Sequence, residues 1–342
     1  MDAGASSTTT RRSSVRRTLS ARAPTRLDFG GGWTDVAPYA DDCGGAVCNV
    51  AITRYATATV SRDDPGPPAL ASASRDADDV LVRAALRSSP LPHAQASVSS
   101  DFPLGAGLGG SSAAGVALAG ALAALAGVPL DLPALAERSR RTEVEELGVA
   151  GGFQDHYAAA FGGALLLATG TPVQVQRITL TDDVASALAR RIVLVYTGQS
   201  RISARTIAAV ADGCREKNPR VCRALDHLKR LALLMADALA QGDLDALGEL
   251  VGEHWTHQRA LHPSITTERI EAIHAACTRA GALGMKALGA SGGGCVLAIA
   301  RDGHEDALAA ALAPLGERLP FAIDQLGFHL LPSRGESMEE SA

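Results

Sequence analysis

The hydrophobic pattern predicts a chain that alternates strands and helices in its first half and turns mainly helical in its second. Residues 46–60 carry Val47, Val50, Ile52, Tyr55, Thr57, Thr59 and Val60 with no glycine or proline between them, which predicts one long strand. The Asp-Asp-Pro-Gly-Pro-Pro run after it closes that strand. A short helix is expected over 80–87, a strand over 96–102, and an alanine-rich helix over 112–127. A polar helix over 133–147 stops at Gly148, and 153–161 reads as a turn or two of helix ended by Gly162 and Gly163. Strands follow at 164–167, 173–178 and 192–196, then helices at 203–211, 221–241, 244–257 and 267–280. A glycine cluster at 289–294 runs into a last strand at 295–300.

These elements predict an α+β fold in two parts, 21–192 and 193–332. At 342 residues and 46% hydrophobic content, two cores are the expected division. Residues 1–20 are rich in Ser, Thr and Arg and read as a disordered arm in preference to a transit peptide, and 333–342 read as a solvated tail.

Charge narrows the partners. Against 37 acidic residues stand 32 basic ones, a net of -5, so neither nucleic acid nor a membrane surface is expected as the main partner, and the substrate is expected to be a small molecule. The six cysteines form no C-x-x-C pair, which favours a reducing cytoplasm. No apolar stretch predicts a span or a signal peptide, and oligomeric state has no signature here.

The chemistry starts at residues 103–114, Pro-Leu-Gly-Ala-Gly-Leu-Gly-Gly-Ser-Ser-Ala-Ala. Gly105, Gly107, Gly109 and Gly110 free the backbone amides to converge on an anion, and the helix that follows brings Ser111, Ser112 and a positive dipole end to the same place. A Walker A loop is excluded, because its lysine is missing. A dinucleotide fingerprint fits Gly105, Gly107 and Gly110, but no second strand ending in an acid follows. A nucleotide-phosphate loop of another kind is the expectation, with a purely structural turn as the alternative.

Phosphoryl transfer needs positioning, a metal, and a group that orients the attacking hydroxyl. Ser112 and Glu143 offer hard oxygens for Mg²⁺, although the cluster of Glu143, Glu145 and Glu146 among arginines also reads as a solvated helix face. Asp155, in a first helical turn, is stabilised by the dipole whether or not it accepts a substrate proton. Residues 24–35 gather Arg26, Asp28, Gly32, Trp33, Thr34 and Asp35, which suits either a polyol site or a glycine hairpin around a packed Trp33. The 289–294 loop either closes on the same phosphates or simply precedes a buried strand. His254, His257 and His262 lack a zinc motif.

Together the three glycine-bearing segments resemble the GHMP family of small-molecule kinases, over nearly the whole chain. The resemblance implies its two-domain fold, an N-terminal domain like domain 2 of ribosomal protein S5 and a ferredoxin-like C-terminal one, and implies ATP and Mg²⁺. By that likeness Pro103, Gly105, Ala106, Gly107, Leu108, Gly109, Gly110, Ser111, Ser112 and Ala113 bind ATP, Ser112 and Glu143 hold the metal, and Asp155 with Arg26 is catalytic. Asp28, Gly32, Trp33, Thr34, Asp35, Tyr196, Arg201, Gly292 and Gly293 are the implied substrate set. Within the family the motifs are most similar to kinases that act on the anomeric hydroxyl of heptose 7-phosphate or L-fucose. A sugar or sugar phosphate is therefore the expected acceptor, with a galactose-type kinase or a non-catalytic sugar and ATP sensor as the other readings.

Overall fold

A computed structural model describes residues 16–63, 77–129, 131–199 and 204–332. Along the chain run β1 (Arg16–Gly30), the helical turn α1 (Tyr39–Cys43), β2 (Ala46–Asp63), α2 (Ala77–Arg87) and β3 (Gln95–Ser100). Next come α3 (Gly110–Leu125) and α4 (Leu132–Arg140), which continues as a π-helix over Arg141–Glu146, then α5 (Gln154–Phe161), β4 (Ala164–Ala168), β5 (Gln174–Ile178), α6 (Asp182–Arg191) and β6 (Ile192–Tyr196). The remainder is α7 (Ala204–Arg215), α8 (Pro219–Gln241), α9 (Leu244–Leu261), α10 (Glu268–Arg279), β7 (Gly284–Ala287), β8 (Cys295–Ile299), α11 (Glu305–Leu312), β9 (Glu317–Arg318) and β10 (His329–Leu331).

Two antiparallel sheets result. The first has the order β10-β1-β2-β4-β5, with β3 added to β2, and the second the order β7-β8-β6-β9. The long β2 divides one edge between two partners: residues 56–61 pair with β3, and residues 46–50 pair with β4. Its other edge is filled by β1, whose pairing begins at Arg16 opposite Asp63. Residues 16–20, expected in the disordered arm, therefore form strand; their polar sequence lacks an apolar alternation, and the order comes from the ladder supplied by β2. The rest of that arm, 1–15, and the tail, 333–342, lie outside the described residues. The chain's last strand, β10, returns to pair with β1 of the first sheet.

Alternation along β1 sets up the site. Leu27 and Phe29 are fully buried in a core with Met235 and Leu231 of α8, so Arg26 and Asp28 face the other way. Helix α3 is apolar on every side, with Val116, Ala117, Leu118, Ala121 and Leu122 all buried, as expected of a helix roofed by its neighbours. No helix among the described residues is long and apolar enough to cross a membrane.

The second sheet is tied to α9 by direct backbone approach. A Cβ built on Gly284 of β7 would lie 2.0 Å from Gly248 O and 2.5 Å from Gly252 N, both on α9. The obstacle is backbone, which cannot rotate aside. Gly284→Ala is expected to lower stability by about 1–3 kcal/mol, despite removing a glycine from a strand, because overpacking outweighs the propensity gain. Urea unfolding of the two proteins checks this; equal midpoints would mean that helix and strand separate without cost.

Candidate active site

The glycine loop, the start of α3, the first turn of α5 and the β1–α1 turn enclose one cavity of about 490 Å³. Gly105, Gly107 and Gly109 all adopt positive φ, between 69° and 74°, and Gly109 caps α3. The loop is pinned by its carbonyls: Ala106 O accepts from Cys295 N at 2.7 Å, and Leu108 O accepts from Arg26 N at 3.1 Å.

The second glycine loop lies against the first. A Cβ on Gly107 would approach Leu288 O to 2.8 Å, and one on Gly289 would approach Gly107 Cα to 3.0 Å. Either side chain would push the loops apart, so the glycines at 107 and 289 are there for contact between the two halves as much as for turning.

Arg26 is the cation of the site and is almost fully buried. Its Nε and Nη2 both reach Asp155 Oδ1 at 2.7 Å, and Nη1 donates to Gly107 O at 2.7 Å. Asp155 sits in the first turn of α5 and packs on the loop, since a Cβ on Gly109 would lie 3.0 Å from its Cγ. Strand, loop and helix are thus fixed by one guanidinium.

Across the loop, Ser112 Oγ donates to Glu143 Oε2 at 2.8 Å, and the Ser111 hydroxyl donates to Glu143 Oε1. Glu143 is delivered by the π-helical turn that extends α4, a type of distortion that is frequent at functional sites. Behind it His156 Nε2 lies 3.3 Å from Glu143 Oε2, and Nδ1 lies 2.9 Å from Ser139 Oγ. Burial pushes the His156 pKa down to about 4, so the ring is a neutral member of this network near pH 7. Two hydroxyls and a carboxylate beside a phosphate-type loop are the hard oxygen donors that Mg²⁺ takes, so the residues fit that ion. Of the histidines on α9, His254 Nε2 accepts from Gly31 N at 3.0 Å and His257 stacks on His227; among the described residues no group of three His, Cys, Asp or Glu side chains is placed to hold a metal.

At the far end stand Asp28, Gly32, Trp33 and Asp35, all lining the cavity. Asp35 Oδ2 accepts from Gln154 N at 3.1 Å. Burial, the largest effect, and the nearby carboxylates of Asp155 and Asp28 push its pKa up to about 7 against the opposing pull of that amide. Gly152 is required beside it, because a Cβ there would stand 1.9 Å from Asp35 Oδ2.

Most of the residues singled out from sequence meet here. Residues 103–112, Arg26, Glu143, Asp155 and Gly293 all line the cavity. Ala113 lies beneath the loop and does not. Thr34 turns inward, its hydroxyl donating to Gly31 O and Ala46 O, so it holds the turn and does not face the cavity. Tyr196 pairs with Cys295 at the end of β6, and Gly292 donates its N–H to Ile265 O; neither lines the cavity. Arg201 lies outside the described residues. Sequence reading missed His156, Gln154 and Lys286. The first two flank Asp155 and were visible as its neighbours, whereas a lysine in a short strand gives no signal of burial.

Comparison with known proteins agrees with this assembly. Residues 78–163 match the GHMP kinases N terminal domain, and 235–316 match the GHMP kinases C terminal domain. The D-glycero-alpha-D-manno-heptose 7-phosphate kinase of Campylobacter jejuni is 28% identical over 301 residues, covering 81% of this chain and 88% of that one. The L-fucokinase/L-fucose-1-P guanylyltransferase of Bacteroides fragilis is 27% identical over 327 residues, 82% of this chain but 34% of that longer protein. A crystal structure of a D-glycero-D-manno-heptose 1-phosphate kinase from Bacteroides thetaiotaomicron shares the fold with a TM-score of 0.71 at 24% identity, over 92% of this chain and 99% of that one. With a phosphate loop, a carboxylate and arginine pair and a second glycine loop joined in one cavity, and with both family domains matched, the chain belongs to the GHMP kinase family.

Proposed function

We propose that this ATP-dependent sugar kinase phosphorylates the anomeric hydroxyl of a heptose phosphate or a closely similar sugar. One observation carries the reading: the Arg26–Asp155 pair stands between the glycine loop and the Asp28, Trp33 and Asp35 end of a single cavity. That arrangement supports a donor triphosphate on the loop, an acceptor polyol at the other end, and Asp155 at the hydroxyl that attacks. The heptose assignment rests on the likeness to the Campylobacter jejuni heptose 7-phosphate kinase.

Asp155 would accept the hydroxyl proton as the bond to phosphorus forms, with Arg26 fixing its Oδ1 and adding positive charge near the transferred group. Four carboxylates, Asp28, Asp35, Glu143 and Asp155, line the cavity against one arginine, so a polyanionic donor needs a further cation. Ser112 and Glu143 would hold Mg²⁺, which supplies charge neutralisation on the donor phosphates. The six free cysteines support a reducing, cytoplasmic setting.

Asp155→Asn is expected to retain nucleotide binding and to lose turnover by about 100-fold or more, the scale of a general base. ADP formation across hexoses, heptoses and their phosphates checks both role and acceptor; turnover near the parent rate would remove Asp155 from the chemistry. Glu143→Gln is expected to raise the Mg²⁺ concentration needed for half-maximal rate by about tenfold or more, since even losing an outer-shell partner costs a metal site about that much. An unchanged requirement would place the metal elsewhere.

Asp35 sets a pH dependence of stability. Its folded pKa, about 7, lies above the ordinary 3.8, so the fold favours the protonated acid. That contribution is complete below pH 3.8 and is lost as pH rises through 7, by roughly 4 kcal/mol if no other group responds. Asp35→Asn is expected to flatten this part of the profile. Denaturant titrations between pH 4 and 8 measure it, and parallel curves for the two proteins would count against a buried acid here.

A further inference from the structure

Three polar atoms that lack any partner belong to residues at the acceptor end of the cavity: Asp28 Oδ1, Gln154 Oε1 and Trp33 Nε1. Two are acceptors and one is a donor. Two of the side chains are neighbours across Gly32, beside Trp33 in the chain: a Cβ there would lie 2.2 Å from Asp28 Oδ2 and 3.2 Å from Gln154 Nε2. Buried groups left unpaired are costly, and a ligand that pairs them recovers that cost.

Only one of these residues is charged, and its charge is answered from the other sheet. Lys286, on β7, is completely buried and donates from Nζ to Asp28 Oδ2 at 2.9 Å. Arg26 and Cys48 lie near the ammonium, and His254, held neutral by burial, is close to it on α9. Burial lowers the lysine's pKa, and the Asp28 carboxylate opposes that shift. With Oδ2 occupied by the lysine, Oδ1 is the oxygen left for a ligand.

We infer that Lys286 is a positioning residue for the acceptor: by anchoring Asp28 through one oxygen, it presents the other, with Gln154 and Trp33, as a group that reads hydroxyl groups of the sugar. The inference rests on the kinase reading above and extends it to residues of the second sheet and of α5. A polyol suits the cluster because each hydroxyl both donates and accepts, so adjacent hydroxyls satisfy carboxylate, amide oxygen and indole N–H together. An apolar acceptor would leave all three unpaired.

The test compares Lys286→Met, Gln154→Leu and the double variant Lys286→Met/Asp28→Asn with the parent, using the sugar that the parent turns over fastest. Lys286→Met and Gln154→Leu are each expected to raise KM for the sugar by about 10-fold or more while KM for ATP moves less than about twofold. The double variant removes the buried charge altogether; it is expected to recover thermal stability relative to Lys286→Met without recovering sugar affinity. That split separates positioning from a merely structural pair. If Lys286→Met loses stability but binds the sugar with parental KM, or if the double variant regains parental KM, the inference is overturned. Where Lys286→Met does not fold, the double variant and Gln154→Leu decide alone. A parent that neither turns over nor binds any sugar by calorimetry overturns both the kinase reading and this one, whereas an active parent with indifferent variants overturns this one only.

Discussion

The site depends on the buried guanidinium of Arg26. Its three nitrogens are all committed, two to Asp155 and one to Gly107 O, while its own backbone N–H holds Leu108 O. One residue therefore fixes the first glycine loop by two carbonyls and the Asp155 carboxylate by two charged nitrogens. Planarity is what makes this possible, since a lysine at the same place would offer a point charge with no defined geometry. The charge is expensive to bury and is offset here by the Asp155 carboxylate and the Gly107 carbonyl, which between them engage all three nitrogens. Its direction is fixed by β1, where Leu27 and Phe29 are locked in the core and leave Arg26 and Asp28 no other face.

Around that centre the charges are distributed unevenly, and the imbalance gives each carboxylate its own character. Asp155 has Arg26, Asp28 has Lys286, and Glu143 has the two serine hydroxyls. Asp35 has one amide N–H and two like charges nearby, which is why burial wins and its acid is pushed up to about 7. Four carboxyl groups within one cavity thus divide into two held by buried cations, one held by hydroxyls and one pushed up to about 7. Residue type alone does not carry that difference; the partner does.

The same logic explains how much was legible in the sequence. Strand β2 showed itself through its β-branched run, and α3 through its alanines, because both depend on composition within one segment. Strand β1 did not, since its polar residues and Pro24 acquire strand geometry only from the ladder with β2, which shifts register between Pro24 and Thr25. Helix α6 was missed although Thr181 caps it, its side chain accepting from Val184 N, because it runs without a break into β6 and the eye stops at no glycine or proline. Motifs located the cavity but not the facing of each side chain: Trp33 and Asp35 line it, whereas Thr34 between them turns back to Gly31 O. Lys286 was invisible for a related reason. A charged residue reads as surface until the partner that neutralises it, 258 positions away, is known.

That separation bears on why the two sheets belong to one working unit. The phosphate loop is built in the first half of the chain, yet its Ala106 carbonyl is held by Cys295 N of β8, and Gly107 rests on the Leu288 carbonyl and on Gly289. The end of the cavity lined by Asp28 is built on β1, yet Asp28 is paired with Lys286 of β7, and Gly31 N is held by His254 of α9. Each ligand end therefore takes its shape from one sheet and its restraint from the other. A small displacement between the halves would loosen the loop and unpair a buried charge at once, so close glycine contacts at the seam, which allow no slack, are what keep the two ends of the cavity in register.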